Sequence, residues 1–151
     1  MIATMGLAVR GGGVQGPRAD PPRGVLLDTH VFLWYLTRAS ALKPRTRELL
    51  RDSRYQVFVS PVSLWEALVK HQLGKLDLPA DPGAYLSRQR ARHGLASLAL
   101  DEGSVLQLMN PPELHRDPFN RLLICQALHH GLVLVTLDAQ IRDYPVETLA
   151  G

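Results

Sequence analysis

Four acidic residues are candidates for chemistry because each lies at or near the start of a predicted helix: Asp28, Glu66, Asp117 and Asp138. The carboxyl ends of parallel strands meet at one edge of a sheet, where α/β proteins bind ligands. Asp28, Glu66 and Asp138 follow predicted strands, so we expect them to meet at that edge. Asp117 is placed there less directly, because no strand immediately precedes its helix.

A cluster of carboxylates favours a bound cation. The acids repel one another, and their pKa values rise unless a cation neutralises them. A hard divalent ion, Mg²⁺ or Mn²⁺, suits such a site because it takes oxygen ligands and keeps several waters. It lowers the pKa of bound water and stabilises the oxygens of a phosphodiester under attack. The six histidines show no His-x-x-x-His spacing, and we interpret His129 and His130 as residues that favour a helix dipole.

Each acid also has a purely structural interpretation. Asp28, Asp117 and Asp138 are good N-cap residues for the helices that follow them. Glu66 precedes Lys70 by four residues, a spacing that predicts an ion pair on an exposed helix face. The joint arrangement of the acids, rather than any one of them, favours the functional interpretation.

Apolar runs and helix signals alternate along the chain. Predicted strands cover about residues 24–27, 55–59, 95–100, 132–136 and 146–149. Predicted helices cover about residues 30–36, 44–53, 61–73, 82–92, 102–109 and 118–130, and Asp138 opens a one-turn helix. This alternation predicts a three-layer α/β/α sandwich around a central, mostly parallel sheet.

The length of 151 residues suggests one domain. Residues 1–23 are rich in Gly, Pro and Ala and lack a periodic pattern, so they predict a flexible N-terminal tail before a folded domain at 24–151. The composition, 46% hydrophobic and 21% charged, is that of an ordinary globular protein. No apolar run approaches the ~20 residues of a membrane span, and the net charge of +3 is weak evidence about partners.

Two further residues are expected in the core. Cys125 is the single cysteine and lies in an apolar run, which predicts a buried thiol and fits the reducing cytoplasm. Trp65, next to Glu66 on a predicted helix, is expected to pack in the core as well.

Five segments, in order, resemble the PIN domain family, and within it the VapC-type toxins of bacterial toxin–antitoxin pairs. They are Leu26-Leu27-Asp28-Thr29-His30-Val31-Phe32-Leu33-Trp34, Ser63-Leu64-Trp65-Glu66-Ala67, His71-Gln72-Leu73-Gly74-Lys75-Leu76, His115-Arg116-Asp117-Pro118-Phe119-Asn120-Arg121-Leu122-Leu123 and Val135-Thr136-Leu137-Asp138. The resemblance extends from about Val25 to the C-terminus.

The resemblance implies a ribonuclease that depends on Mg²⁺ or Mn²⁺ and hydrolyses RNA. By position, Asp28, Glu66 and Asp138 match the family's acids, and Thr29 and Thr136 match hydroxyls that support them. The resemblance also implies a homodimer and a cognate antitoxin whose tail enters the acidic site.

One position departs from the family pattern. The usual motif is Asp-Pro-Phe-Asp-Arg, and here it is Asp117-Pro118-Phe119-Asn120-Arg121. An Asn oxygen can coordinate a metal but adds no negative charge, which weakens the site. Asp117 lies one turn earlier on roughly the same face and is a candidate replacement ligand.

Two hypotheses for the function remain, the first from the acids and the resemblance and the second from this departure. The first is a metal-dependent endoribonuclease toxin, in which a cation such as Lys70, Arg116 or Arg121 stabilises developing charge. The second is a binding module that keeps the fold and engages RNA or an antitoxin without turnover. Whether Asn120→Asp raises nuclease activity distinguishes them.

Overall fold

A five-stranded parallel sheet is the centre of the fold in the computed structural model, which describes residues 23–109, 117–143 and 148–150. The strands are β1 (Arg23–Leu27), β2 (Tyr55–Val59), β3 (Ala96–Ser97), β4 (Val133–Thr136) and β5 (Thr148–Ala150). Their order is β3-β2-β1-β4-β5, and every described pair is parallel. This order places β1 in the middle, with its carboxyl end at the centre of one sheet edge.

Six helices surround the sheet in the described residues: α1 (Thr29–Thr37), α2 (Pro44–Arg51), α3 (Pro61–Gln72), α4 (Pro82–Arg92), α5 (Glu102–Leu106) and α6 (Pro118–His130). Short 3₁₀ turns follow at Gln107–Met109 and Ala139–Asp143. Proline in the first turn of α2, α3, α4 and α6 fits a position whose N–H has no helical partner. Gly131 ends α6 in the left-handed region, with φ of 65°.

The middle strand is buried on both faces. Val25 and Leu27 belong to one apolar cluster, which includes Val31 and Phe32 of α1. Leu26 belongs to the other, with α6 and the neighbouring strand β4. Full burial of each large apolar side chain stabilises the fold by about 1.5–3 kcal/mol. The sandwich is therefore confirmed, and packing on both sides fixes where β1 ends.

The strand β3 is shorter than the predicted run of residues 95–100. Arg90 Nη1 donates to the carbonyl of Leu95 at 2.6 Å. Gln126 Nε2 donates to the carbonyls of Leu98 and Ala99 at 3.0 and 3.2 Å. Side chains, rather than a neighbouring strand, therefore satisfy these carbonyls, and the ladder ends after two residues.

Two boundaries differ slightly from the predictions. β1 begins at Arg23, which was assigned to the tail, because its backbone pairs in register with Tyr55. Residues 1–22, predicted as the tail, lie outside the described residues, as does the predicted loop at 110–112. The last strand is described at Thr148–Ala150, and 146–147 also lie outside.

The two core predictions had different outcomes. Cys125 is fully buried as predicted, and desolvation raises the pKa of its thiol to about 11. The prediction for Trp65 is wrong: it is 54% exposed and meets the Phe119 ring edge-on, 4.8 Å between centroids. The buried side of α3 runs through Ser63, Glu66 and Ala67 instead. None of the helices in the described part of the chain has the length and hydrophobicity to cross a bilayer.

Candidate active site

Asp28 follows β1 directly and is the N-cap of α1. Its backbone N–H donates to the Val135 carbonyl at 3.0 Å, and its Oδ1 accepts from the Val31 N–H at 2.8 Å. The side chain is buried. Desolvation raises the pKa of Asp28, and the negative charge of Glu66 acts in the same direction. Hydrogen bonds from the Thr136 hydroxyl and the Val31 N–H lower it in part.

Glu66 is buried on α3, and both of its oxygens have partners. Thr29 Oγ1 lies 2.6 Å from Oε1, and Lys70 Nζ lies 2.6 Å from Oε2. Thr29 Oγ1 also lies 3.0 Å from Ser63 Oγ. A hydroxyl has one proton, so Thr29 donates to Glu66 and accepts from Ser63. This chain of hydrogen bonds fixes the orientation of the Glu66 carboxylate.

Asp138 follows β4 and is half-buried. Its Oδ1 accepts from the Gln140 N–H at 2.9 Å, so it caps the 3₁₀ turn as predicted. Its Oδ2 accepts from Asn120 Nδ2 at 3.3 Å. Thr136 Oγ1 accepts from the Asp138 N–H at 3.0 Å while donating to Asp28. Thr136 therefore connects the two strand-end acids.

Asp117 has the role of a helix cap in this structure. Its Oδ1 accepts from the Phe119 N–H at 2.9 Å and from the Asn120 N–H at 3.4 Å. The N–H groups of the first turn of a helix have no carbonyl partner within the helix, and Asp117 supplies an acceptor for these two. The structural interpretation of Asp117 is therefore confirmed, and a role as metal ligand stays a prediction.

The match to a known family agrees with this arrangement of acids. The PIN domain family model matches residues 25–147. The chain belongs to the PIN domain family. It is also 32% identical to ribonuclease VapC16 of Mycobacterium tuberculosis over 56 residues, which is 37% of this chain and 40% of that protein.

Solved structures share the PIN fold of this chain. VapBC2 from Rickettsia felis, bound to a promoter DNA fragment, matches with a TM-score of 0.60 at 13% identity, covering 83% of this chain and 97% of that one. DNA-bound VapBC from Salmonella typhimurium matches with a TM-score of 0.59 at 20% identity, covering 83% and 96%. At these identities the likeness shows the fold alone.

The donors in this PIN domain fit a hard divalent ion. The acids Asp28, Glu66 and Asp138 offer carboxylate oxygens, the ligands that Mg²⁺ and Mn²⁺ prefer. The raised pKa of Asp28 indicates that surrounding protein groups do not fully compensate its charge. Three carboxylates and the Lys70 ammonium leave two net negative charges, which one divalent ion balances. Asn120 stands where the family pattern has an acid, and its neutral amide adds no further negative charge.

The sequence predicted two features of the site incompletely. The sequence predicted no role for Ser63, although its position three residues before Glu66 places both on one helix face. The Glu66–Lys70 ion pair is present, but Glu66 is buried rather than exposed. Arg116 lies outside the described residues, so a role for it stays a prediction.

Replacing Thr29 by Val is expected to lower the free energy of unfolding by about 1–3 kcal/mol, because it leaves buried polar atoms of Glu66 and Ser63 without their partner. Urea unfolding followed by circular dichroism measures this. Thr29→Ser keeps the hydroxyl and is the matched control, expected to lose less. Equal stability of Thr29→Val and the native chain would mean that the hydroxyl chain does not hold Glu66 in place.

Proposed function

We propose that this chain is a metal-dependent endoribonuclease that acts as the toxin of a toxin–antitoxin pair. The observation that supports this most is the set of carboxylates at the central edge of the sheet. Asp28 and Glu66 are buried there, and Asp138 is connected to them through Thr136. The similarity to ribonuclease VapC16 supports the same activity.

The acids that would hold Mg²⁺ or Mn²⁺ are Asp28, Glu66 and Asp138, with Asp117 and the Asn120 oxygen as candidate additional ligands. When bound, the ion would lower the pKa of a water molecule and offset the charge of the RNA phosphate. This is the chemistry that hydrolysis of a phosphodiester requires.

The other site residues orient these carboxylates. The cap position and the Thr136 hydroxyl hold Asp28, and the Thr29–Ser63 pair holds Glu66. Lys70 reduces the negative charge at Glu66, and its side chain is 33% exposed. An ammonium at the rim of the site would also attract an RNA phosphate. We propose that Arg121 likewise attracts the RNA phosphate.

The proposal includes RNA as substrate, a cognate antitoxin, a homodimeric assembly and a cytoplasmic location. The VapBC structures with the same fold support the antitoxin partner. Membership of the PIN family supports the substrate and the divalent ion.

The tag-free chain is expected to cleave structured RNA when Mn²⁺ or Mg²⁺ is added and to stop when EDTA removes the ion. Attack by water leaves no 2′,3′-cyclic phosphate, so the end groups of the products provide an independent readout. Equal cleavage in EDTA and Mn²⁺, or products with cyclic phosphate ends, would contradict the proposed mechanism.

A second candidate function is a binding module without turnover, and Asn120 is the observation that favours it. Its amide group donates to Asp138 at the place where the family pattern has a second acid. Absence of cleavage by the native chain, together with tight RNA or antitoxin binding, would support this candidate.

A further inference from the structure

A second cluster of metal-ligand side chains lies at the end of α6 that is remote from Asn120. Asp101 is the N-cap of α5, and His129 and His130 are the last two residues of α6. One ligand atom from each of the three lies within 4.8 Å of the others. Sequence spacing did not reveal this cluster, because Asp101 is far from the histidines along the chain.

The distances within the cluster are close to those of a coordinated ion. Asp101 Oδ2 lies 3.0 Å from His130 Nε2 and 3.9 Å from His129 Nε2. Tetrahedral coordination at ~2.0–2.2 Å places donor atoms about 3.4 Å apart. Shifts of well under 1 Å would bring each histidine nitrogen to this separation from Asp101 Oδ2, and the ligand nitrogens of the two histidines lie within 4.8 Å of each other.

A simple hydrogen bond does not account for the approach of His130 to Asp101. His130 Nε2 is buried, yet it makes no hydrogen bond of acceptable geometry although the carboxylate is 3.0 Å away. A buried imidazole nitrogen that makes no well-aligned hydrogen bond is costly, even with a carboxylate beside it. A metal ion is a partner that this nitrogen and the carboxylate can share.

Neighbouring groups favour metal binding by both the carboxylate and the imidazole. The pKa of Asp101 is lowered by hydrogen bonding with Ser104, whose backbone N–H donates to Asp101 Oδ1 at 2.9 Å, and this favours the anionic carboxylate. The imidazole of His129 packs against Gly103, where an added Cβ would overlap the ring. The absence of a side chain at position 103 therefore leaves room for His129 beside Asp101.

We propose that Asp101, His129 and His130 bind a divalent transition ion of the zinc class, with water as a further ligand. Two imidazoles and one carboxylate are a donor set that zinc accepts, whereas Mg²⁺ prefers oxygen ligands. The ion joins the start of α5 to the end of α6. Ten residues of α6 separate Asn120 from His130, roughly 15 Å, so this ion stabilises the fold and takes no part in hydrolysis.

The test is a thermal melt of the tag-free full chain with and without Zn²⁺, after EDTA treatment and removal of the chelator. A site filled at about 100 times its Kd is expected to raise the Tm of the native chain by about 5 °C or more. Asp101→Asn, which keeps the helix cap, and His130→Gln are expected to lose most of this rise. Replacing the bound ion by Co²⁺ is expected to give visible absorption bands that both variants lack.

Two controls separate this site from others. His93→Gln removes an exposed imidazole elsewhere, and Asp28→Asn removes a carboxylate of the candidate active site; both are expected to keep the zinc-induced rise. The proposal would be overturned if Zn²⁺ raised the Tm equally in the native chain, Asp101→Asn and His130→Gln, or raised it in none of them. The cluster would then be an Asp–His ion pair only.

Discussion

Replacing Asp28 by Asn is expected to reduce RNA cleavage by at least ~100-fold while leaving the Tm equal to or above that of the native chain. Asn is as good an N-cap as Asp, so the bond from the Val31 N–H is kept. The substitution removes a buried negative charge that, in the proposed site, would bind the ion. Single-turnover cleavage in Mn²⁺ and a thermal melt in EDTA measure the two effects.

The stability part of this prediction follows from the raised pKa of Asp28. A carboxyl with a higher pKa in the folded state contributes stability below its unfolded pKa and loses it as the pH rises through the folded value. The native chain therefore loses stability relative to the Asn variant, which has no titrating group at this position, as the pH rises through the folded-state pKa of Asp28.

An acid at another helix start provides the matched control. Asp81 is the N-cap of α4 and is exposed, so Asp81→Asn is expected to leave cleavage unchanged. If Asp28→Asn cleaves RNA at the native rate, Asp28 is a helix cap and the site assignment is wrong.

Replacing Asn120 by Asp is expected to raise Mn²⁺-dependent cleavage by about 10-fold or more. The native amide donates to Asp138 Oδ2 at 3.3 Å. A carboxylate in its place repels Asp138 without metal and adds a charged ligand with it. The same variant is therefore expected to melt lower than native in EDTA and to gain more from Mn²⁺.

Asn120→Ala separates the new charge from simple loss of the amide. It is expected to show neither the gain in activity nor the larger response to Mn²⁺. If Asn120→Asp and Asn120→Ala have the same activity, the amide does not limit this site. A gain from an inactive native chain would instead favour the binding module.

Local signals were sufficient to predict the strand-end acids. The run before Asp28 is apolar on consecutive residues, as expected of a strand buried on both faces, and the structure shows those residues packed on both sides. The same pattern located Asp138. These positions follow from the chain direction in a parallel sheet, which the alternation of strands and helices predicts.

Tertiary contacts determined what the sequence could not predict. The helix that contains Trp65 and Glu66 has a weak amphipathic pattern, so its sequence does not show which side is buried. The prediction of a core Trp65 and of an exposed Glu66–Lys70 pair is therefore wrong on both counts of burial. Asp101 and the histidines of α6 come together because α5 packs on α6. No spacing rule along the chain contains that information.

A Mn²⁺ titration tests most directly whether the carboxylates at the edge of the sheet bind a divalent ion. Free Mn²⁺ gives a strong electron paramagnetic resonance signal that weakens on binding, so the bound ions can be counted. We expect the native chain to bind Mn²⁺ and Asp28→Asn to bind it at least ~10-fold more weakly, with Asp81→Asn unchanged. Equal affinity of the native chain and Asp28→Asn would contradict the account.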